Sequence, residues 1–415
     1  MHLNQQATEK YHAYLSAIAQ DAGVQYANVD GIGTFPVPVK THERLISLVT
    51  DSDVTGFLKK INTIIVSETE GKLLYGDMDE NVLKRTDVSA GPREPSIAAA
   101  QSNRTYKLLS TEADILFGWE KLNAYARFPN FQQRLLADKA TRIANNRLLV
   151  GWQGTDDTQA AVASAAITTL NKGWIQHVRT DKPANVISEI VAGSSKIFIG
   201  ANNKVVVLDE AQAITDQGGG VAGIPATAHG LLTGAQITIS GQGANYDGTY
   251  LVLASSTANR IDITKGHTIE NVAGGAIATQ VPDYRNMDEL MVDLVASIPV
   301  QKRMGVTAMM ADDLRAGERS ALYNLHGDQP SEKVALEKAF SELAGYPVET
   351  PAFVPGRTLV VTKHRNLSIY LHENYNRRLE NKHEWKGVVD WNEWTEGYFV
   401  EDLESFIMAE NIYRI

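Results

Sequence analysis

The chain of 415 residues contains no cysteine. Disulfide staples, thiolate metal sites and cysteine nucleophiles are therefore excluded. Basic residues are the minority, 39 against 49 acidic, for a net charge of −10. Wrapping nucleic acid by neutralising its phosphates needs clustered Lys and Arg, so this balance argues against that role. No apolar run reaches the ~18 residues of a membrane span. The opening MHLNQQATEKYHAYL lacks the basic start and apolar middle of a signal peptide. A soluble protein, made and kept in a cytoplasm without membrane contact, is the expectation. Signatures of chemistry are also scarce. There is no HExxH, no GxSxG and no phosphate loop ending in Gly-Lys-Ser/Thr. GGGVAG at 218–223 precedes Ile-Pro rather than opening a helix, so it is a poor dinucleotide turn. His372–Glu373 and His383–Glu384 are neighbours in sequence only and read as solvated faces. The expectation is a protein that is not an enzyme, with no catalytic residue, no cofactor and no metal.

What is present is organised around residues 129–152, FPNFQQRLLADKATRIANNRLLVGW with its flanking Phe. Leu135, Leu136, Ala140, Ile143, Ala144 and Leu148 fall at the spacing of one helical face, and Gln133, Arg134, Asp138, Lys139, Arg142, Asn145 and Asn146 fill the other. Asn130 is the expected N-cap and Gly151 the expected stop. Such a helix is roughly 30 Å long or more, a beam to which the rest attaches.

Before it, residues 9–22 and 43–50 read as short amphipathic helices. Between them Gly31, Gly33, Pro36 and Pro38 impose an extended arm. The β-rich run 61–66 is matched by 106–119, and the roughly 30 polar residues between them suggest a long projecting hairpin. After the beam comes a small-residue linker, 156–168, and then Trp174 and Ile175 as anchors. Residues 193–275 hold 14 of the 32 glycines and read as a small all-β module of about six short strands at 196–200, 204–209, 235–240, 249–255, 260–264 and 276–281. The chain then resumes as mixed α/β. Helices are expected at 286–299, 312–325 and 331–344, with strands at 304–310, 358–362 and 367–373. An exposed charged stretch is expected at 376–387, before a strongly β end. The whole reads as α+β. Arg365, Arg377, Arg378, Lys363, Lys382 and Lys386 make one basic cluster, interleaved with Glu373, Glu380 and Glu384, a mixture suited to contacts between protein subunits.

Taken together, AYLSAIAQDAGV, FLKKINTIIVSETEGKLL, ARFPNFQQRLLADKATRIANNRLLVGWQG, NKGWIQHVR, NMDELMVDLVASI, LSIYLHENYNRRLENKHEWKG and YFVEDLES occur in an order that resembles the major capsid proteins of P-two-like contractile-tailed phages, which have the Hong Kong 97 fold. The resemblance covers most of the chain outside the glycine-rich module. It implies an N-terminal arm at 1–52, an extended loop at 53–118, and a spine helix with the start of a peripheral domain at 119–187. It further implies an axial domain at 283–370 and a return to peripheral strands at 371–415. The β module at 188–282 is expected as an insertion on the outer surface. The implied function is self-assembly as pentamers and hexamers into an icosahedral shell around double-stranded DNA, held non-specifically. The implied partners are an internal scaffolding protein, a portal protein at one vertex and a decoration protein on the module. The alternative is a virion surface-binding protein whose β module recognises a glycan or host surface, with Tyr246 and Tyr250 as candidate contacts.

Overall fold

The computed structural model describes residues 4–22, 35–36, 39–53, 55–73, 104–155, 166–326 and 341–415. Among them are seven α-helices: α1 (Gln5–Ala22), α2 (Val39–Asp51), α3 (Trp119–Tyr125), α4 (Phe131–Gln153), α5 (Trp174–Asp181), α6 (Met287–Ala296) and α7 (Asp312–His326). The chain divides into two compact units. One comprises Met1–Lys182, Pro351–Val354 and Lys363–Phe406, the other Pro183–Thr350, Pro355–Thr362 and Ile407–Ile415.

The first unit is built on one long antiparallel hairpin, Leu367–Lys382 with Gly387–Val400. The charged stretch expected to be exposed at 376–387 is largely part of it. The reason is period-two patterning: Tyr375, Arg377 and Leu379 are buried while Asn376, Arg378 and Glu380 alternate with them on a partly exposed face. Asn62–Val66 pairs with Leu367–Lys382 in parallel. That corrects the expected hairpin of 61–66 with 106–119. Strand propensity marks a strand but not its partner, and the partner here lies 306 positions later, Asn62 against Ser368. The segment leaving at 73 and returning at 104 is closed instead by a three-residue ladder, Glu70–Lys72 with Thr105–Lys107. Leu109–Glu112 and Ile115–Gly118 extend the sheet along Gly387–Val400. The polar residues between, expected as a loop, lie outside the described residues, as does most of the Gly/Pro-rich arm. Of that arm, Phe35–Pro36 pairs at the edge of Leu367–Lys382, where proline costs no interior ladder bond.

Helix α4 runs for 23 residues, about 35 Å. Leu135, Ala140, Ile143, Ala144 and Leu148 are buried as the spacing implies. Lys139 and Arg147 are buried with them.

In the second unit α6 and α7 accompany a six-stranded sheet, ordered Glu342–Leu343, Tyr346–Glu349, Thr307–Met310, Leu359–Thr362, Ile407–Ala409 and Val186–Ile187. Asn286 caps α6, its Oδ1 accepting from the Glu289 amide at 2.9 Å. Met287, Leu290, Met291, Leu294 and Val295 go into the core. Of the helix expected at 331–344, residues 331–340 lie outside the described residues. Glu342–Leu343 is strand, paired with Tyr346–Glu349 across Gly345 at φ +82°.

The glycine-rich stretch forms two sheets over a shared core. One is ordered Gly248–Leu251, Gln236–Ser240, Ile277–Gln280, Lys204–Val207. The other is Thr215–Gly218, Val221–Pro225, Arg260–Thr264. Ile237, Ile239, Ala222, Ile224, Ile261 and Ile263 meet between them. The hairpin 215–225 was not evident from the sequence. Its two-residue turn is Gly219-Gly220, with φ +62° and +80°, the backbone that GGG supplies. Ile197–Ile199, expected within the module, pairs with Ile412–Arg414 in parallel.

Candidate functional site

The residues of α4 that face the long hairpin are not all apolar. Lys139 is 2% exposed and Asp390 fully buried, 3.2 Å apart. The Lys139 Nζ also donates to Asn392 Oδ1 at 2.6 Å and to the Tyr375 hydroxyl at 3.2 Å. Arg377 grips the same carboxylate with two bonds, Nε to Oδ1 at 2.8 Å and Nη2 to Oδ2 at 2.7 Å, and reaches Tyr14 of α1 at 2.8 Å. Two cations thus share one carboxylate. Burial, and then the Arg377 guanidinium, push the Lys139 ammonium down to about 7, against the pull of Asp390. Burial opposes ionisation of Asp390, but Arg377 and Lys139 outweigh it and hold the carboxyl below its usual range.

Two turns further along α4, Arg147 Nε donates to Glu396 Oε2 at 2.9 Å. Glu396 also accepts from Trp394 Nε1 at 2.7 Å and from the Tyr398 hydroxyl at 2.8 Å. Removing such groups from water is expensive unless every lone pair is used, and here the partners are supplied. The result is directional. The helix can rest on this hairpin in one register only, because a slip of one residue would leave Lys139 or Arg147 buried without its carboxylate. His42 of α2 stacks on Tyr375, centroids 5.0 Å apart. Burial is the main cause that pushes its pKa down to about 4, with Arg147 adding to it. The unfolded chain therefore takes up a proton at His42 near pH 6.5 while the folded chain does not. Stability should fall as pH drops from about 6.5 towards about 4. Unfolding midpoints across that range should decline less steeply in His42→Asn, and an equal slope would assign the effect elsewhere.

Arg104 anchors the foot of the chain that returns there. It donates to the Val400 carbonyl at 2.5 Å and to Asp181 Oδ2 of α5 at 3.2 Å. Burial resists ionisation of Asp181, yet His177, Lys172 and Thr180 outweigh it and keep the group well below the usual carboxylate range. Tyr106 packs on Tyr370 and Phe399 beside it.

The six basic residues taken as one cluster do not stay together. Lys363 and Arg365 precede the strand Leu367–Lys382, and Lys382 ends it, roughly 50 Å away at ~3.3 Å per residue. Arg377 is buried on Asp390, while Arg378 and Lys382 both hold Glu380, at 3.2 and 2.6 Å. A charge string in a strand alternates between faces, which a linear reading merges. His372 bonds Ser67 O through Nε2 at 3.0 Å and accepts the Asn374 amide at Nδ1, at 3.1 Å. It is a brace between strands rather than a solvated group. Among the described residues no group of three or more His, Asp or Glu is placed to hold a metal ion. Among the described residues no helix is long and apolar enough to cross a membrane. Tyr246 is fully buried, its hydroxyl bonded to both the amide (2.8 Å) and the carbonyl (3.0 Å) of Thr268. That spends it on the module's core and removes it as a glycan platform. Lys139, Arg147, Asp390 and Glu396 were the residues sequence reasoning missed. Lys139, read as part of the polar face, stands instead with Arg147 on the buried side of α4, and two cations eight apart on that side were the available signal.

The chain matches "Phage major capsid protein, P2 family" over residues 10–217 and 254–412. It belongs to that family. Among curated relatives, the "Capsid proteins" of Escherichia phage P2 are 21% identical over 416 residues, covering 99% of this chain and 95% of the relative. The major capsid protein of Serratia phage KSP20 is 26% identical over 189 residues, 45% of this chain and 53% of that one. A solved subunit of the satellite phage P4 procapsid including size determination (Sid) protein superposes with a TM-score of 0.63. It is 17% identical and covers 100% of this chain and 99% of that one. The capsid fold is thus shared along the whole length. The family match is interrupted at 218–253, within the β module, while the module's flanks lie inside it.

Proposed function

We propose that this chain is the shell-building subunit of a tailed-phage head, self-assembling as pentamers and hexamers into an icosahedral container for double-stranded DNA. Membership of the major capsid family, matched over 10–217 and 254–412, is the observation that carries the reading. The buried ionic seat of α4 supports it, because a tile must hold its shape under load from its neighbours. In this reading α4 is the spine, residues 1–52 the arm and 53–118 the extended loop. The long hairpin is the peripheral frame, and the unit containing α6 and α7 includes the axial domain. The β module is an outer elaboration on which a decoration protein would sit. Assembly would take place in the host cytoplasm with an internal scaffolding protein and a portal protein at one vertex. The surplus of acidic residues suits an inner wall that holds DNA without gripping it.

Electron microscopy and sedimentation of the full chain, co-expressed with an internal scaffolding partner, test this. Closed shells tens of nanometres across are expected. A uniform monomer or small ring under all conditions would refute it. Deleting residues 76–102 should leave a soluble subunit that sediments alone and forms no shells. Normal shells from that deletion would sink the role of the extended loop as a clasp on a neighbour.

A further inference from the structure

The sheet of the first unit has two faces near the tip of the long hairpin. One carries Arg377, Asp390 and Asn392, which meet α4 and α1. The other is built from the residues between them. Val389 lies opposite Glu380 on one side and Leu116 on the other, and Trp391 lies opposite Arg378. Trp385, in the turn, tilts against Trp391 with centroids 6.3 Å apart. Trp385 is 51% exposed and Leu116 49% exposed. Tryptophan and arginine are the residue types that carry most of the binding energy in protein interfaces.

The charges around this apolar centre are arranged by sign. On one side Glu112 and Glu393 face each other directly in register, both exposed, and neither makes an ion pair among the described residues. Like charges directly opposite on a sheet destabilise it, so a cation arriving there is favoured. On the other side lies the hairpin tip, with Arg378, Lys382 and Lys386. Glu380 is held by the first two, and Glu384 shares the turn with Lys386, which leaves one surplus positive charge. From residue 387 to 393 along one strand the two sides stand roughly 20 Å apart, with Trp391 between them and Trp385 packed on it from the turn. A patch that is negative at one end, apolar in the middle and positive at the other complements itself when a second copy is turned through half a revolution.

We propose that this outward face, centred on Trp385, Trp391 and Leu116, docks the same face of a second copy of the chain, the basic hairpin tip of each lying over the Glu112–Glu393 pair of the other. The inference rests on the shell reading above, since a self-assembling subunit meets its own copies on every side.

Charge reversal in the full chain tests it, with shell yield read by sedimentation and electron microscopy and folding by thermal melting of the soluble subunit. Glu112→Lys with Glu393→Lys should leave melting unchanged and reduce shell yield roughly tenfold or more. Lys382→Glu with Lys386→Glu should reduce shell yield as much, with a small fall in melting temperature because Glu380 keeps only Arg378. All four substitutions in one chain restore the complementarity, and shell yield should return towards that of the unaltered chain. Trp385→Ala, uncharged and at an exposed site, should reduce shell yield without recovery in the fourfold background. Full assembly of either charge-reversed pair, or no recovery in the fourfold variant, would overturn the docking face while leaving the shell reading intact. An unaltered chain that never forms particles would overturn both.

Discussion

Asp390→Ala is expected to lower the unfolding free energy of the soluble subunit by about 3–5 kcal/mol. The carboxylate is fully buried between Lys139 and Arg377, and among the described residues no other carboxylate bonds to either cation. Removing it leaves two cations in a space closed to water, one of which must lose its proton or drag solvent inwards. Lys139 is the one that yields, because burial has already brought its pKa to about 7, whereas a guanidinium stays charged. The loss should therefore shrink as pH rises towards about 7, where Lys139 of the unaltered chain also gives up its proton, and level off above it. Denaturant titrations of Asp390→Ala and the unaltered chain at two pH values would measure both. A loss below about 1 kcal/mol would mean that the cations find water or another acid, and that the register of α4 is set elsewhere.

Trp174→Ala should cost a similar amount, about 3–5 kcal/mol, by a different route. Trp174 is fully buried at the start of α5. It meets Trp152 of α4 edge to face at 5.2 Å and Tyr398 of the hairpin at 5.9 Å, and its Nε1 donates to the Ser368 carbonyl at 3.1 Å. Truncation opens a cavity where three elements meet and strips a buried carbonyl of its donor. The approach is so close that a Cβ on Gly151 would stand 2.5 Å from the ring. Gly151→Ala should thus overpack the same joint and lose about 1–3 kcal/mol. The alanine at 151 ought to be tolerated once Trp174 is itself truncated. Additive losses in the double variant would show that the two do not share the space.

The parts of the fold legible in the sequence were those written locally. The beam at 129–152 appears as Phe131–Gln153, since its apolar spacing is a property of consecutive residues. Helix α6 and the anchors Trp174 and Ile175 were legible for the same reason. What joins them was not. Lys139 looks like a solvent residue until Asp390 and Asn392, some 250 positions later, are brought to it. The run Asn62–Val66 announces a strand but not that Leu367–Lys382 is its neighbour. The two glycine-turned strands at 215–225 were hidden because Thr-Asp-Gln-Gly has little apolar content. Arg377 and Arg378 stand side by side in sequence, yet one is buried and the other on the opposite face, a distinction that period two makes and a count of charges cannot.

The parallel pairing of Asn62–Val66 with Leu367–Lys382 has a consequence for how the chain is made. His372 braces Ser67 across a separation of 305 residues. At ~5–20 residues per second a ribosome takes roughly 15 to 60 s to cover that interval. The strand at 62–66 spends all of it, and α4 (Phe131–Gln153) most of it, without the hairpin that seats them. Lys139 and Arg147 remain hydrated, and the apolar side of α4 has nothing to cover it. The second unit is spared little, since its strand Ile407–Ala409 is later still. Nascent chains of this protein are thus committed late. The interval in which they could join one another wrongly is as long as synthesis itself, and a companion that shields α4 during translation would act before any shell contact can form.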